Sequence, residues 1–195
     1  MKKTFFVAVA VAFALAGCVT AQEQHAEARS KLSGATAPST YAFEDADWGI
    51  ASTENLQKEK LHSSTPTTVP GVKTIKTAEL LPLLKSVNPP IVLDTLGGSG
   101  HATLPGAYWL RGAGTGERFD DAIQSRLETK VAALANGAKA QSIVTLCLSA
   151  ECWLSYNTAL RLKRMGYTNV QWYRGGVDAW KAAGLPMAPA VLEQW

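Results

Sequence analysis

Two apolar strand runs constrain the fold of this chain most: the continuous Ile91-Val92-Leu93, ending at Asp94, and the mainly apolar Ser142-Ile143-Val144-Thr145-Leu146, ending at Cys147. A strand with one wet face alternates apolar and polar residues, whereas a run apolar on both faces fits a parallel strand covered on both sides. The segments around these runs alternate in kind. Residues 72–75 read as a short strand, and Thr77 as the cap of a helix carrying Leu80, Leu81, Leu83 and Leu84 that Pro82 shortens. Gly97-Gly98-Ser99-Gly100 is a loop, and residues 105–110 open another extended piece. Residues 118–136 set Phe119, Ile123, Leu127, Val131 and Leu134 at helical spacing, with Gly137 to stop them. A helix over residues 152–165 ends before Gly166, residues 169–173 form a strand, and residues 177–183 a last helix. This alternation predicts an α/β fold: a single three-layer sandwich with a central, mostly parallel sheet flanked by helices.

Before the alternating region, the chain is of a different kind. Met1-Lys2-Lys3 is a basic head, residues 5–16 a short apolar core, and a small-residue stretch with Cys18 follows. That is the layout of an export signal, too short for a comfortable membrane span. Leu15-Ala16-Gly17-Cys18 also resembles the bacterial lipobox, in which Cys18 is lipidated and becomes the mature N-terminus. Cleavage after Ala21, with Val19-Thr20-Ala21 as the small-residue site, is the alternative. Residues 1–18 are therefore expected to be a signal with a lipobox, giving an exported, periplasmic protein anchored to the outer membrane through lipid at Cys18. Residues 19–70 are rich in Ser, Thr, Ala, Gln and Glu and read as a tether and irregular lead-in. A thin-faced helix over residues 22–32 is one element of it, and Tyr41, Phe43, Trp48 and Ile50 are expected to pack onto the domain. The breaker cluster of residues 63–71 sets the boundary, so that residues 71–190 form the domain and residues 191–195 a C-terminal tail. The formal net charge of +3 falls to +1 without Lys2 and Lys3, which gives nucleic-acid binding no support.

The chemistry concentrates at Cys147-Leu148-Ser149-Ala150-Glu151-Cys152-Trp153, where a thiol ends a strand and a second opens a helix. Unpaired amides at a helix start stabilise a thiolate and lower its pKa. With Cys18 removed or lipidated, Cys147 and Cys152 form the one intramolecular disulfide open to the chain in an oxidising compartment. A permanent structural bridge, a resolving pair and two buried thiols all remain open. The histidines, His25, His62 and His101, form no ligand cluster with the cysteines, so no metal or other cofactor is expected. Leu148, Ser149, Ala150, Glu151 and Trp153 are candidate substrate contacts, with Trp153, like Trp172 and Trp180, also suited to the core. Asp94, at a strand's carboxyl end, either lines the pocket or hydrogen-bonds its loop, and Arg111 either supplies positive charge to the site or is a surface arginine. Arg111-Gly112-Ala113-Gly114-Thr115-Gly116 lacks the Lys-Ser/Thr ending of a phosphate loop.

Residues 74–186 resemble a single rhodanese domain. The features that carry the resemblance are the Asp94 strand end, Pro105-Gly106-Ala107, the cysteine loop between strand and helix, Met165-Gly166-Tyr167-Thr168-Asn169-Val170, Gly175-Gly176-Val177-Asp178-Ala179-Trp180 and Gly184-Leu185-Pro186. A narrower resemblance is to exported rhodanese-like proteins associated with pyrroloquinoline-quinone-dependent (PQQ-dependent) catabolism and named for a CXXCW motif, carried by Pro105-Gly106-Ala107-Tyr108-Trp109-Leu110, Cys152-Trp153-Leu154-Ser155-Tyr156-Asn157 and Trp172-Tyr173. Here four residues separate Cys147 from Cys152, so the motif's spacing is not matched. The resemblance implies a sulfurtransferase or persulfide carrier with Cys147 as nucleophile, its loop neutral to acidic where the family often has arginine, which disfavours thiosulfate as donor. A thiol-disulfide protein using Cys147 and Cys152 is a second reading. A non-catalytic module that docks a PQQ-dependent dehydrogenase or a cytochrome is a third. Whether the protein is an enzyme stays open among them. Its partners are expected to be a sulfur donor and acceptor or a thiol protein.

Overall fold

A computed structural model describes residues 20–37 and 43–195. Residues 1–18, expected to be a signal with a lipobox at Cys18, and Tyr41 lie outside the described residues. No helix among the described residues is long and apolar enough to cross a membrane.

Five strands, β1 (Lys73–Ile75), β2 (Ile91–Asp94), β4 (Tyr108–Trp109), β5 (Ile143–Leu146) and β6 (Val170–Tyr173), form one sheet in the order β1-β6-β5-β2-β4. Every neighbouring pair is parallel. The two apolar runs are its centre: β5 lies between β6 and β2, in registers that set Val144 against Gln171 and Val92. Side chains alternate between the faces, as strand geometry requires. Val92, Val144 and Tyr173 join Leu80, Leu81 and Trp180 from α2 (Thr77–Leu84) and α5 (Gly176–Ala182) on one side. Leu93, Ile143 and Trp172 meet Leu127, Val131 and Tyr156 from α3 (Ala122–Leu134) and α4 (Trp153–Arg164) on the other. The expected three-layer α/β sandwich is thus present, with the sheet wholly parallel. Each fully buried large apolar side chain of this kind contributes about 1.5–3 kcal/mol.

Element ends differ from expectation where a side chain supplies the cap. The helix expected from Arg118 starts at Ala122, because Asp121 takes the Gln124 amide on one oxygen and the Glu117 and Arg118 amides on the other. Lys76, not Thr77, is the N-cap of α2, and the Glu79 carboxylate accepts its N–H at 3.0 Å. Thr77 instead donates its amide and hydroxyl to the buried Glu44.

The stretch before the sheet is built into the domain. Helix α1 (Ala21–Ser30) is held by a reciprocal cap between Thr20 and Glu23, stacks His25 on Tyr108 at 3.8 Å, and ties His25 to Glu193 at 3.1 Å. Leu32 is fully buried beyond it. Residues 53–65 run as an irregular strap over α4. Tyr156 Oη accepts the Thr53 amide and donates to its carbonyl, and Asn157 pairs with both backbone groups of Gln57. This coverage explains how α4 is buried from Trp153 to Leu162 despite Ser155, Asn157, Thr158 and Arg161. Phe43, Trp48 and Ile50, expected to pack onto the domain, remain 77%, 40% and 40% exposed; Leu32, Leu56 and Thr65 are the buried anchors instead. At the far end, β3 (Ala102–Thr103) pairs with β7 (Ala188–Pro189), a small antiparallel sheet the sequence reading did not include. The last residues follow β4, with Leu192 bridged to Trp109 and Arg126 set over the Trp195 ring at 4.7 Å.

Candidate active site at the Cys147–Cys152 loop

In open parallel sheets, ligands gather at the carboxyl ends of the strands. Asp94, Cys147 and Arg174 stand at those ends after or within β2, β5 and β6. Leu146 ends β5, and the loop of residues 147–152 turns directly into α4, whose N-cap is Cys152. Cys147 and Cys152 form a disulfide with their Cα atoms 6.1 Å apart, inside the range a bridge requires. Both are 1% exposed, and Leu61, Leu96 and Leu154 pack around them. The bond keeps both sulfurs near the α4 N-terminus, where the helix dipole favours negative charge on sulfur.

Three elements hold the loop. The first turn of α5 donates Val177 N–H to the Cys147 carbonyl at 3.0 Å and Asp178 N–H to that of Leu148 at 2.9 Å. That approach needs glycine at 176, where φ is +62° and a Cβ would run into the Cys147 carbonyl oxygen. The strap supplies the second hold: Thr65 donates both amide and hydroxyl to the Ala150 carbonyl, at 3.2 and 2.6 Å, and the Leu61 carbonyl accepts Trp153 N–H at 2.8 Å. Arg174, 2% exposed, is the third. Its guanidinium donates to the Thr65 hydroxyl and carbonyl and to the Glu44 carbonyl, at 3.0–3.2 Å, fixing the strap against the end of β6. Burial lowers its pKa, against the pull of Asp47 and Asp45. The β5 side is locked to α4 through Ser155, whose carbonyl takes the Thr145 hydroxyl and whose Oγ takes the Trp172 indole N–H.

The loop's outer surface opens on a groove of about 530 Å³ whose walls include Phe43, Trp48, Ser149, Ala150, Glu151 and Asp178. Ser149, Ala150 and Glu151, named from the sequence as candidate contacts, line this groove, and Leu148 is 39% exposed. Trp153 does not line this groove: it packs in the core on Tyr156 and donates its indole N–H to Ser64. Arg111 contacts the Gly98 carbonyl and the Trp109 ring rather than the cysteine loop. Asp94 is fully buried; it accepts Leu96 N–H at 2.9 Å, the Thr103 hydroxyl at 2.5 Å and His101 Nε2–H at 2.6 Å. His101, read as a loop residue, is therefore paired with a strand-end carboxylate, and its Nδ1 is buried with no partner among the described residues.

The residues missed by sequence reasoning are Thr65 and Arg174, which hold the loop, His101, which pairs with Asp94, and the groove residue Asp178. Arg174 had a usable signal, a cation closing a buried strand immediately before Gly175-Gly176. Thr65 had none, since it reaches the loop only through the path of the strap. Among the described residues, no group of three or more His, Cys, Asp and Glu is placed to hold a metal ion.

The stretch from residue 97 to residue 183, from the Gly-rich loop to the end of α5, matches the family model of the rhodanese-like domain. Among solved structures the chain is similar to a thiosulfate sulfurtransferase from Pseudomonas aeruginosa, with 19% identity, a TM-score of 0.47 and coverage of 64% of this chain. It spans only 21% of that protein's length. An EanB variant in complex with hercynine aligns with 14% identity and a TM-score of 0.47, over 65% of this chain and 36% of that one. A Saccharomyces cerevisiae homolog of single-domain rhodanese aligns with 18% identity and a TM-score of 0.40, over 59% and 83% of the two chains. No curated protein matches the sequence.

Proposed function

We propose that this protein performs sulfurtransferase-type persulfide chemistry in which Cys147 accepts a sulfane sulfur and Cys152 resolves it. The observation that carries the reading is the disulfide across the loop from the end of β5 to the N-cap of α4. The resemblance to rhodanese domains makes that loop the place for the sulfur-accepting thiol. A dithiol carrier first reduces the bridge, leaving two thiols and an oxidised carrier. The Cys147 thiolate then attacks the outer sulfur of an organic persulfide. A new S–S bond forms at Cys147, the donor's S–S bond breaks, and the donor leaves as a thiolate. The Cys152 thiolate attacks Cys147 Sγ, restoring the disulfide and expelling hydrosulfide. The sulfane sulfur is reduced to sulfide by the two electrons the thiols lose.

Export and lipidation at Cys18 belong to the same reading, supported by the basic head, apolar core and lipobox-like residues 15–18. A PQQ-dependent dehydrogenase or cytochrome as partner rests on the resemblance to the exported CXXCW group that the residues around Trp109, Cys152 and Trp172 carry. Reduced protein treated with an organic persulfide and read by mass spectrometry tests the chemistry. Cys152→Ser should accumulate one extra sulfur on Cys147, while the wild type should release sulfide and return to the disulfide. Absence of the sulfur adduct on Cys152→Ser overturns the reading.

A further inference from the structure

The groove beside the cysteine loop has a composition that sulfur chemistry alone does not require. We infer that it binds a small organic cation with an apolar body, which names the class of sulfur carrier served by the loop and rests on the persulfide reading for that role alone. Two large aromatic side chains, Phe43 and Trp48, stand exposed at its wall, although apolar groups of that size ordinarily sink into a core. Two carboxylates share the groove with them: Glu151, the last residue before Cys152, and Asp178 in the first turn of α5. No lysine or arginine is among the residues that line it. The Arg174 guanidinium already sits over the Trp48 ring, 5.0 Å from its centroid, but it is buried and engaged with Thr65 and Glu44.

Aromatic faces and carboxylates together attract a cation and repel an anion. Desolvation raises the Asp178 pKa, with Lys181 pulling the other way. Asp178 is exposed and lines the groove, where a ligand cation can reach it. The volume of about 530 Å³ fits a small molecule. Its remaining walls, including Ala150, Gly175, Ala179 and Ala182, are small and uncharged, which suits an apolar body lying between the cation site and the loop. Ser149, Ala150 and Glu151 belong both to the groove and to the segment between the two sulfurs, so a carrier seated there lies against the loop that must open for exchange.

The test uses the full oxidised chain and probes without sulfur, so that binding is read independently of cysteine chemistry. Benzyltrimethylammonium should bind saturably by calorimetry, at least tenfold tighter than benzyl alcohol, while benzoate should not bind. Glu151→Gln with Asp178→Asn should remove that preference, and Trp48→Ala should weaken the cation at least fivefold; all three positions are at the surface or keep their shape. Equal binding of cation and alcohol, or a preference that survives loss of both carboxylates, overturns the inference. Binding of tetralysine without binding of benzyltrimethylammonium also overturns it, in favour of a basic peptide. A persulfide that forms on Cys152→Ser while the cation fails to bind leaves the chemistry standing and removes the carrier class. The reverse result leaves a cation site on a domain without that chemistry.

Discussion

Reducing the Cys147–Cys152 bridge should leave the domain folded. A disulfide stabilises mainly by restricting the unfolded chain, and the restriction grows with the loop it closes. Here the sequence separation is 5, which gives a loop-closure contribution of about 2 kcal/mol. The loop's other attachments survive reduction: two amides from α5, two hydrogen bonds from Thr65 and the Leu61–Trp153 bond. Neither core cluster that sandwiches the sheet includes either cysteine. For a domain of this size, about 2 kcal/mol corresponds to a fall in Tm of roughly 4–8 °C. Urea unfolding of the oxidised protein, and of the protein kept reduced by a phosphine, measures the difference directly. A cooperative transition displaced by this amount is expected. Loss of the cooperative transition, or a difference above about 5 kcal/mol, lies beyond what closing so short a loop provides. Such a result would make the bridge a structural staple and sink the redox cycle, which needs a folded dithiol state.

Thr65→Val removes the hydroxyl that bonds the Ala150 carbonyl and accepts from Arg174; a loss of about 1–3 kcal/mol in urea unfolding is expected, with faster reduction of the bridge by dithiothreitol. Burial opposes ionisation of Asp121, but hydrogen bonds from Arg161 and from the Gln124 and Arg118 amides outweigh it and hold the carboxyl at about 2. Because the folded value is depressed, this stabilisation is complete above the unfolded value near 4 and is lost as pH falls through about 2. Unfolding from pH 5 to pH 2 should show about 2 kcal/mol of pH-dependent stability that Asp121→Asn lacks. Arg161→Met should cost about 3–5 kcal/mol in urea, because Asp121 and three carbonyl or amide oxygens lose a buried cation. Gly176→Ala sets a Cβ against the Cys147 carbonyl at positive φ; lower stability and a bridge that reduces faster are expected, and an unchanged reduction rate would refute the α5 hold on the loop.

What could be read from the residues was local. Ile91-Val92-Leu93 and Ile143-Val144-Thr145-Leu146 announced buried parallel strands because an apolar run leaves no face for water. Gly137 and Gly166 marked helix ends, since each sits at positive φ just past its helix. Cys147 and Cys152 declared themselves by standing between a strand and a helix. The two-residue β3 and β7 carried no such pattern, for a pairing that short depends on what brings it together.

The sequence by itself therefore determined the layered α/β domain and the position of its sulfur loop, because periodicity and end signals are properties of neighbouring residues. Only the tertiary structure decided how that loop is held and what stands before it. Thr65 reaches Ala150 across 85 positions and Arg174 reaches Thr65 across 109, while residues with no common pattern, Phe43, Trp48, Glu151 and Asp178, meet at one groove. Contacts at such separations are set by the path of the strap and the crossing of the helices, which no local run of residues encodes.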